Sequence, residues 1–180
     1  MTSDGTGSLR VSVIGTSGSG KSTFGKRLAE RIGAEYVELD SIFHQANWTP
    51  LADDEFQERV RARTAGERWV VDGNYGVVRP IVLERATTVV WLDYPRPLVM
   101  ARVIRRSVAR GVTRRELWNG NKEDPREWIR ADHPIRWAWS QHGRKRIEYT
   151  ARFAEPQYER LDVHRFHHPR DAARWLASIG

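Results

Sequence analysis

The sequence predicts a three-layer α/β domain, with a parallel sheet covered by helices on both faces. Three observations predict it. Short apolar, β-branched runs alternate with segments of helical spacing, and parallel strands need helical crossovers. A complete glycine-rich loop stands between the first strand and the first helix. The length, 180 residues, suits one such domain.

Residues 1–8 are small and polar and read as a loose tail, leaving 9–180 as a single domain. The first strand is Leu9–Ile14 (LRVSVI), ended by a glycine cluster. The run KSTFGKRLAERI has helical spacing at Phe24, Leu28 and Ile32, with a stop at Gly33. Tyr36–Leu39 reads as the second strand and Asp54–Thr64 as a polar helix. Trp69–Val71 and Val89–Leu92 are the third and fourth strands. A long helix follows Pro95, with Leu98, Val99, Ile104 and Val108 as its apolar positions. Residues 111–135 are polar, rich in Arg and Trp, and weakly periodic. Ile135–Phe153 reads as a helix, Leu161–Phe166 as a fifth strand and Arg170–Ile179 as a closing helix. There is no internal repeat and no low-complexity linker.

Composition narrows the function. With 39% hydrophobic and 29% charged residues the chain reads as soluble and globular, not disordered. No apolar run approaches the roughly eighteen residues of a membrane span, and MTSDGTGS lacks the features of a signal peptide. The absence of cysteine removes disulfides and thiolate metal sites, and the expected compartment is the cytoplasm. The net charge is +7, and its distribution is uneven. Arg96–Arg152 holds 15 Lys/Arg against 6 Asp/Glu, whereas the rest of the chain holds 15 against 17. Arginine supplies 26 of the 30 basic residues, and its fork suits bidentate phosphate contacts.

Directly after the first strand comes Gly15-Thr16-Ser17-Gly18-Ser19-Gly20-Lys21-Ser22-Thr23, which satisfies G-x-x-x-x-G-K-[ST] in its required context. Glycines let the backbone curl so that successive N–H groups and the helix N-terminus receive phosphate oxygens. Lys21 places a compact charge at the β and γ phosphates, and the Ser22 hydroxyl can ligate magnesium. A nucleoside triphosphate is the expected ligand. The quartet Asn121-Lys122-Glu123-Asp124 spells a guanine-binding motif, but no apolar strand precedes it. Asp72-Gly73-Asn74-Tyr75 stands where a GTPase needs D-x-x-G, so the match reads as coincidence.

The remaining positions are Glu38-Leu39-Asp40 with His44 and Trp48, Val71-Asp72-Gly73-Asn74-Tyr75, and Trp91-Leu92-Asp93-Tyr94-Pro95 leading to Arg102 and Arg106. Together with the loop, over nearly the whole chain, they resemble the P-loop nucleoside and nucleotide kinases, of which adenylate kinase is the familiar member. Within that group the chain is most similar to the small adenylate-kinase-related DNA topology modulation proteins. The resemblance implies a five-stranded parallel sheet of order 2-3-1-4-5, an acceptor-binding segment near 40–66 and an Arg-rich helical lid near 107–135. It also implies a loop after the fifth strand, His167–Arg170, that passes near the adenine.

Each site residue carries two readings. Asp40, at the end of the second strand, orients or deprotonates an acceptor hydroxyl or supports magnesium, or else caps a turn. His44 and Trp48 line an acceptor pocket or pack a loop. Asp72, ending the third strand, belongs beside Lys21 and Ser22 as a magnesium-supporting carboxylate, or closes a D-G turn. Gly73 admits the acceptor close to the backbone, with Asn74 and Tyr75 as hydrogen-bonding partners. Asp93 reads as a helix-start residue. Arg102 and Arg106 share one face of the long helix, where they clamp transferring phosphate or form a solvated face. Arg105, Arg110, Arg114 and Arg115 are weaker candidates. Trp118, Trp128, Trp137 and Trp139 read as a small lid core, or as cation–π partners of neighbouring arginines, in preference to a nucleic-acid stacking platform. The three histidines 164, 167 and 168 lack metal-site spacing.

The preferred function is an ATP- and magnesium-dependent kinase acting on a nucleotide, a nucleoside or another small acceptor. Adenylate kinases carry a monophosphate-binding arginine after the second strand. Here only Arg59, Arg61 and Arg63 on a helix offer themselves, which counts against AMP. Two alternatives remain: a nucleic-acid-binding ATPase using the basic surface of residues 96–152, and an idle nucleotide-binding partner.

Overall fold

The computed structural model describes residues 8–113, 116–121 and 134–179. Strand β1 (Leu9–Gly15) leads into α1 (Lys21–Ile32), β2 (Glu35–Glu38), α2 (Leu39–Phe43) and α3 (Asp53–Arg63). Next come β3 (Arg68–Asp72), α4 (Arg79–Arg85), β4 (Thr88–Leu92) and α5 (Arg96–Thr113). The chain closes with α6 (Pro134–Arg152), β5 (Asp162–Phe166) and α7 (Pro169–Ser178). The five strands lie in the order β2-β3-β1-β4-β5, and every pairing is parallel.

Alternation along the strands builds two cores, because successive side chains point to opposite faces. Ile14, Val71, Val89 and Trp91 face one way and pack with Phe56, Val82 and Tyr149 of α3, α4 and α6. Val11, Val13, Val70, Val90 and Leu92 face the other way, against Phe24, Leu28, Val99, Val103 and Ala172 of α1, α5 and α7. Strand β5 has one neighbour, and its burial is incomplete, as an edge strand's must be. The carboxyl ends of β1, β2 and β3 come together at Val13↔Asp72 and Glu38↔Asp72. In open α/β sheets that edge is where ligands bind.

The sequence-based expectations differ from the structure at three places. Strand β2 ends at Glu38, so Asp40 sits in the first turn of the short helix α2, where it caps nothing. Leu39 causes the change by folding inward over Gly73: a Cβ at Gly73 would stand 2.9 Å from Leu39 Cβ. Helix α4 was not anticipated, because seven residues are too few to show a period. Asp93 is no helix-start residue. It is 5% exposed and receives both Arg146 Nε, at 2.9–3.0 Å, and the Arg165 fork, at 2.7–3.0 Å. Basic side chains of α6 and β5 converge on it, so the carboxylate ties those elements to the end of β4. Among the described residues no helix is long and apolar enough to cross a membrane. Arg114, Arg115, Trp128 and much of the expected lid lie outside the described residues.

Candidate active site

The loop from Gly15 to Gly20 turns between β1 and α1, as its sequence requires. Gly18 has φ +86°, and a Cβ there would lie 2.3 Å from Val103 Cγ2 and 2.8 Å from the Val99 carbonyl. Glycine is therefore demanded twice, by backbone conformation and by the pressure of α5 on the loop. Helix α1 starts at Lys21, and the first-turn amides of a helix lack intrahelical acceptors. Together with the positive end of the helix dipole they suit an anion. Lys21 Nζ reaches back over the loop to the Thr16 carbonyl, at 3.4 Å.

Asp72 is 3% exposed at the end of β3. Burial pushes its carboxyl above the usual range, against the pull of the Lys21 charge and the Ser22 hydroxyl beside it. Tyr36 donates to Oδ2 at 3.1 Å, while buried Oδ1 has no partner among the described residues. An orphaned carboxylate oxygen beside the loop serine fits a hard divalent cation held by Ser22 and Asp72.

Arg102 and Arg106, one turn apart on α5, both reach the loop. Arg102 Nη1 donates to the Ser19 carbonyl at 3.0 Å, and Arg106 Nη2 to Ser17 Oγ at 2.9 Å. A cleft of about 500 Å³ runs from the loop past Arg105, Arg106 and Arg110 to Pro169, Ala172 and Leu176 of α7. Its volume suits a nucleotide. Of the expected base-contacting run, Pro169 lines this cleft, whereas His167 turns to the Asp93 carbonyl and His168 caps α7 by accepting the Arg170 N–H.

Asp40, His44 and Trp48 follow β2, which borders β3 on the side away from β1, and Tyr75 joins them. Tyr75 Oη donates to Asp40 Oδ1 at 2.6 Å and lies 3.3 Å from His44 Nε2. Burial lowers the His44 pKa, although Asp40 pulls it up. Trp48 stands edge-on to His44, at 5.4 Å between centroids. Asn74 and Gly73 are turned to the scaffold. Asn74 Oδ1 accepts from Arg79 Nε at 2.8 Å, Arg79 is held by Glu148 at 2.8 Å, and Gly73 makes room for Leu39.

Sequence reasoning missed Glu38, Tyr36 and Trp118. Burial pushes Glu38 up, with Lys26 at 3.8 Å in opposition. The period of two on β2 puts Tyr36 and Glu38 on one face, and that signal was available. For Trp118 no local signal exists. It was read as lid core, yet it stacks at 6.0 Å on His44, over seventy residues earlier in the chain. Asn121, the first residue of the false guanine motif, is buried; it accepts the Trp48 N–H and donates to the Gln45 carbonyl, both at 2.8 Å. Trp139 is 59% exposed beneath Arg96 and forms no core. Arg59, Arg61 and Arg63 bind Glu55, Gln57 and Glu35 on the surface.

Sheet order, loop and arginine-bearing helix together define a protein of the P-loop kinase fold. Residues 17–61 match the shikimate kinase family. The shikimate kinases of Paramagnetospirillum magneticum and Synechococcus elongatus are 30% and 32% identical over 111 and 110 residues. Each alignment covers 53% of this chain, which spans only 57% of the length of those relatives. Among solved structures, the shikimate kinase of Acinetobacter baumannii in complex with shikimate aligns with TM-score 0.58 at 17% identity, over 95% of this chain and 90% of that one. An unliganded sugar kinase from Janibacter sp. aligns with TM-score 0.50 at 18% identity, over 96% and 94%. The structural matches establish the fold. The resemblance to DNA topology modulation proteins gains no support from these comparisons.

Proposed function

We propose that the chain is an ATP- and magnesium-dependent kinase that phosphorylates a hydroxyl of a small, non-nucleotide metabolite. One observation carries the reading. Strand β3, which ends at Asp72, lies between β1, which leads into the cationic phosphate loop with Lys21, Arg102 and Arg106, and β2, which leads to the Asp40–Tyr75–His44 cluster. A donor phosphate and an acceptor hydroxyl would meet between them.

In this reading the amides of Gly15–Thr23 and Lys21 hold the polyphosphate. Arg102 and Arg106, which rest on loop oxygens, supply charge to the transferring group. Ser22 and Asp72 hold magnesium, which when bound neutralises charge on the β and γ phosphates. Asp40, fixed by Tyr75, accepts the proton of the attacking hydroxyl as the new P–O bond forms and the bond to the ADP oxygen breaks. Catalysis is positioning plus charge stabilisation. ATP as donor places the reaction in the cytoplasm.

The relatives' names support a shikimate-like or sugar-like acceptor over a nucleotide. The engagement of Arg59, Arg61 and Arg63 at the surface agrees with that. The nucleic-acid alternative is weakened: Arg102, Arg106, Arg146 and Arg152 of the basic segment are bound to the loop, Asp93 and Glu148, so part of its charge excess is engaged within the fold.

The test is an ATP-consumption screen over shikimate, sugars, nucleosides and nucleoside monophosphates, with Lys21→Ala as blank. The expected outcome is turnover of one non-nucleotide acceptor, reduced at least ~10²–10³-fold in the variant while its circular dichroism is unchanged. Wild-type turnover by Lys21→Ala contradicts the reading.

A further inference from the structure

Helix α1 carries a buried glycine, Gly25, in its interior, where glycine weakens a helix. Space explains it: a Cβ there would stand 3.0 Å from Tyr36 Cε2 and 3.6 Å from Asp72 Cβ. The Tyr36 ring lies against the helix in that gap, with Lys26 Nζ 5.4 Å from its centroid. Its place is therefore fixed by packing, independently of its hydroxyl.

Strand register then brings the hydroxyl to a particular partner. Tyr36 on β2 pairs with Val70 on β3, and Val70 shares a face of that strand with Asp72, two residues on. The phenol reaches diagonally to the carboxylate and donates to Oδ2 at 3.1 Å. On α1, Ser22 lies three residues before Gly25, and its hydroxyl stands beside both the phenol and the carboxyl. Ser22, Tyr36 and Asp72 thus form one polar cluster where α1 crosses the ends of β2 and β3.

The terminal torsion of an aspartate is soft, so a donor on one oxygen decides where the other points. Burial alone would call for partners on both oxygens. Among the described residues Oδ2 has its donor and buried Oδ1 has none. That is the pattern of a carboxylate oriented from behind for a cation. Partners of this kind hold metal-binding side chains in place, and losing one weakens metal binding about 10–100-fold.

We infer that Tyr36 is a positioning residue for the metal: its hydroxyl sets the rotation of the Asp72 carboxylate so that Oδ1 meets the divalent cation also held by Ser22. This rests on the kinase reading above and deepens its metal site.

The experiment measures ATP affinity by calorimetry, in excess magnesium and in EDTA, for the wild type, Tyr36→Phe, Asp72→Asn and the double variant. Phenylalanine keeps the ring in the gap at Gly25 and removes only the hydroxyl. A thermal melt of each variant comes first, and binding is read below it. The wild type is expected to bind ATP at least about tenfold more tightly with magnesium than in EDTA. Tyr36→Phe loses about tenfold with magnesium and stays within about twofold in EDTA. On the Asp72→Asn background the same substitution changes neither affinity more than about twofold, because the hydroxyl acts through that carboxylate. An equal loss in magnesium and in EDTA marks a tyrosine that only supports the fold and overturns the inference. So does no loss in either, a wild type indifferent to magnesium, or an undiminished effect on the Asp72→Asn background. A wild-type chain that binds no ATP under either condition strikes the kinase reading itself, whereas these other results with ATP binding intact strike the role of Tyr36.

Discussion

Asp72 answers two opposed demands at once. It is almost fully buried, which disfavours its charge, yet a carboxylate that supports a divalent cation must be ionised. Lys21, Ser22 and the Tyr36 hydroxyl offset part of the burial cost, and Oδ1 is left without a partner among the described residues. A carboxyl whose folded pKa lies above its ordinary value of 3.8 holds its proton more tightly in the folded state. Its contribution to stability is therefore full in acid and is lost as pH rises through the raised folded pKa. Asp72→Asn removes that loss and keeps an acceptor for Tyr36. The variant should lose activity at least ~10²-fold yet melt at or above the wild-type temperature at pH 7, with the advantage shrinking toward pH 4. A melting temperature more than ~4 °C below wild type at pH 7 would contradict this, since about 2–4 °C corresponds to 1 kcal/mol at this chain length. Lys21, Ser22 and Asp72 were readable in the sequence because motif and strand end define their places. Tyr36 was not singled out, because a tyrosine on a strand looks the same whether it packs or donates.

At the scale of elements, the decisive contact is α5 against the phosphate loop. Val99 and Val103 press on Gly18, while Arg102 and Arg106 hold the loop's oxygens from the same face. The arginine pair was legible, since residues four apart share a helix face, but the valine contact on Gly18 was not, since it joins positions more than eighty residues apart. Gly18→Ala adds a methyl where Val103 Cγ2 already sits, at positive φ. The expected cost is about 1–3 kcal/mol of stability, read by urea unfolding, together with weaker ATP binding as α5 is pushed away. Unchanged stability would contradict the packing described. The short helices α2 and α4 escaped the sequence because five and seven residues give no period to read. The role of Asp93 escaped because its partners Arg146 and Arg165 lie more than fifty residues away.

At the scale of the molecule, the parallel sheet followed from strand–helix alternation and its order from the family resemblance, and its two cores follow from alternation within each strand. The basic excess of residues 96–152 invited a nucleic-acid surface. Folding engages part of it, on the loop, on Asp93 and on Glu148, and net charge by sequence cannot distinguish an engaged arginine from a free one. The clasp of Trp118 and Asn121 on the acceptor segment belongs to this scale too, as a product of topology with no local signature. In the proposed function the whole arrangement serves the grip on a polyphosphate, and calorimetric titration of ATP with magnesium into the wild-type chain and Lys21→Ala tests that grip directly. The expected result is one saturable site in the wild type, weakened about a hundredfold in the variant. No binding heat from any purine triphosphate with magnesium in the wild-type chain would contradict the account.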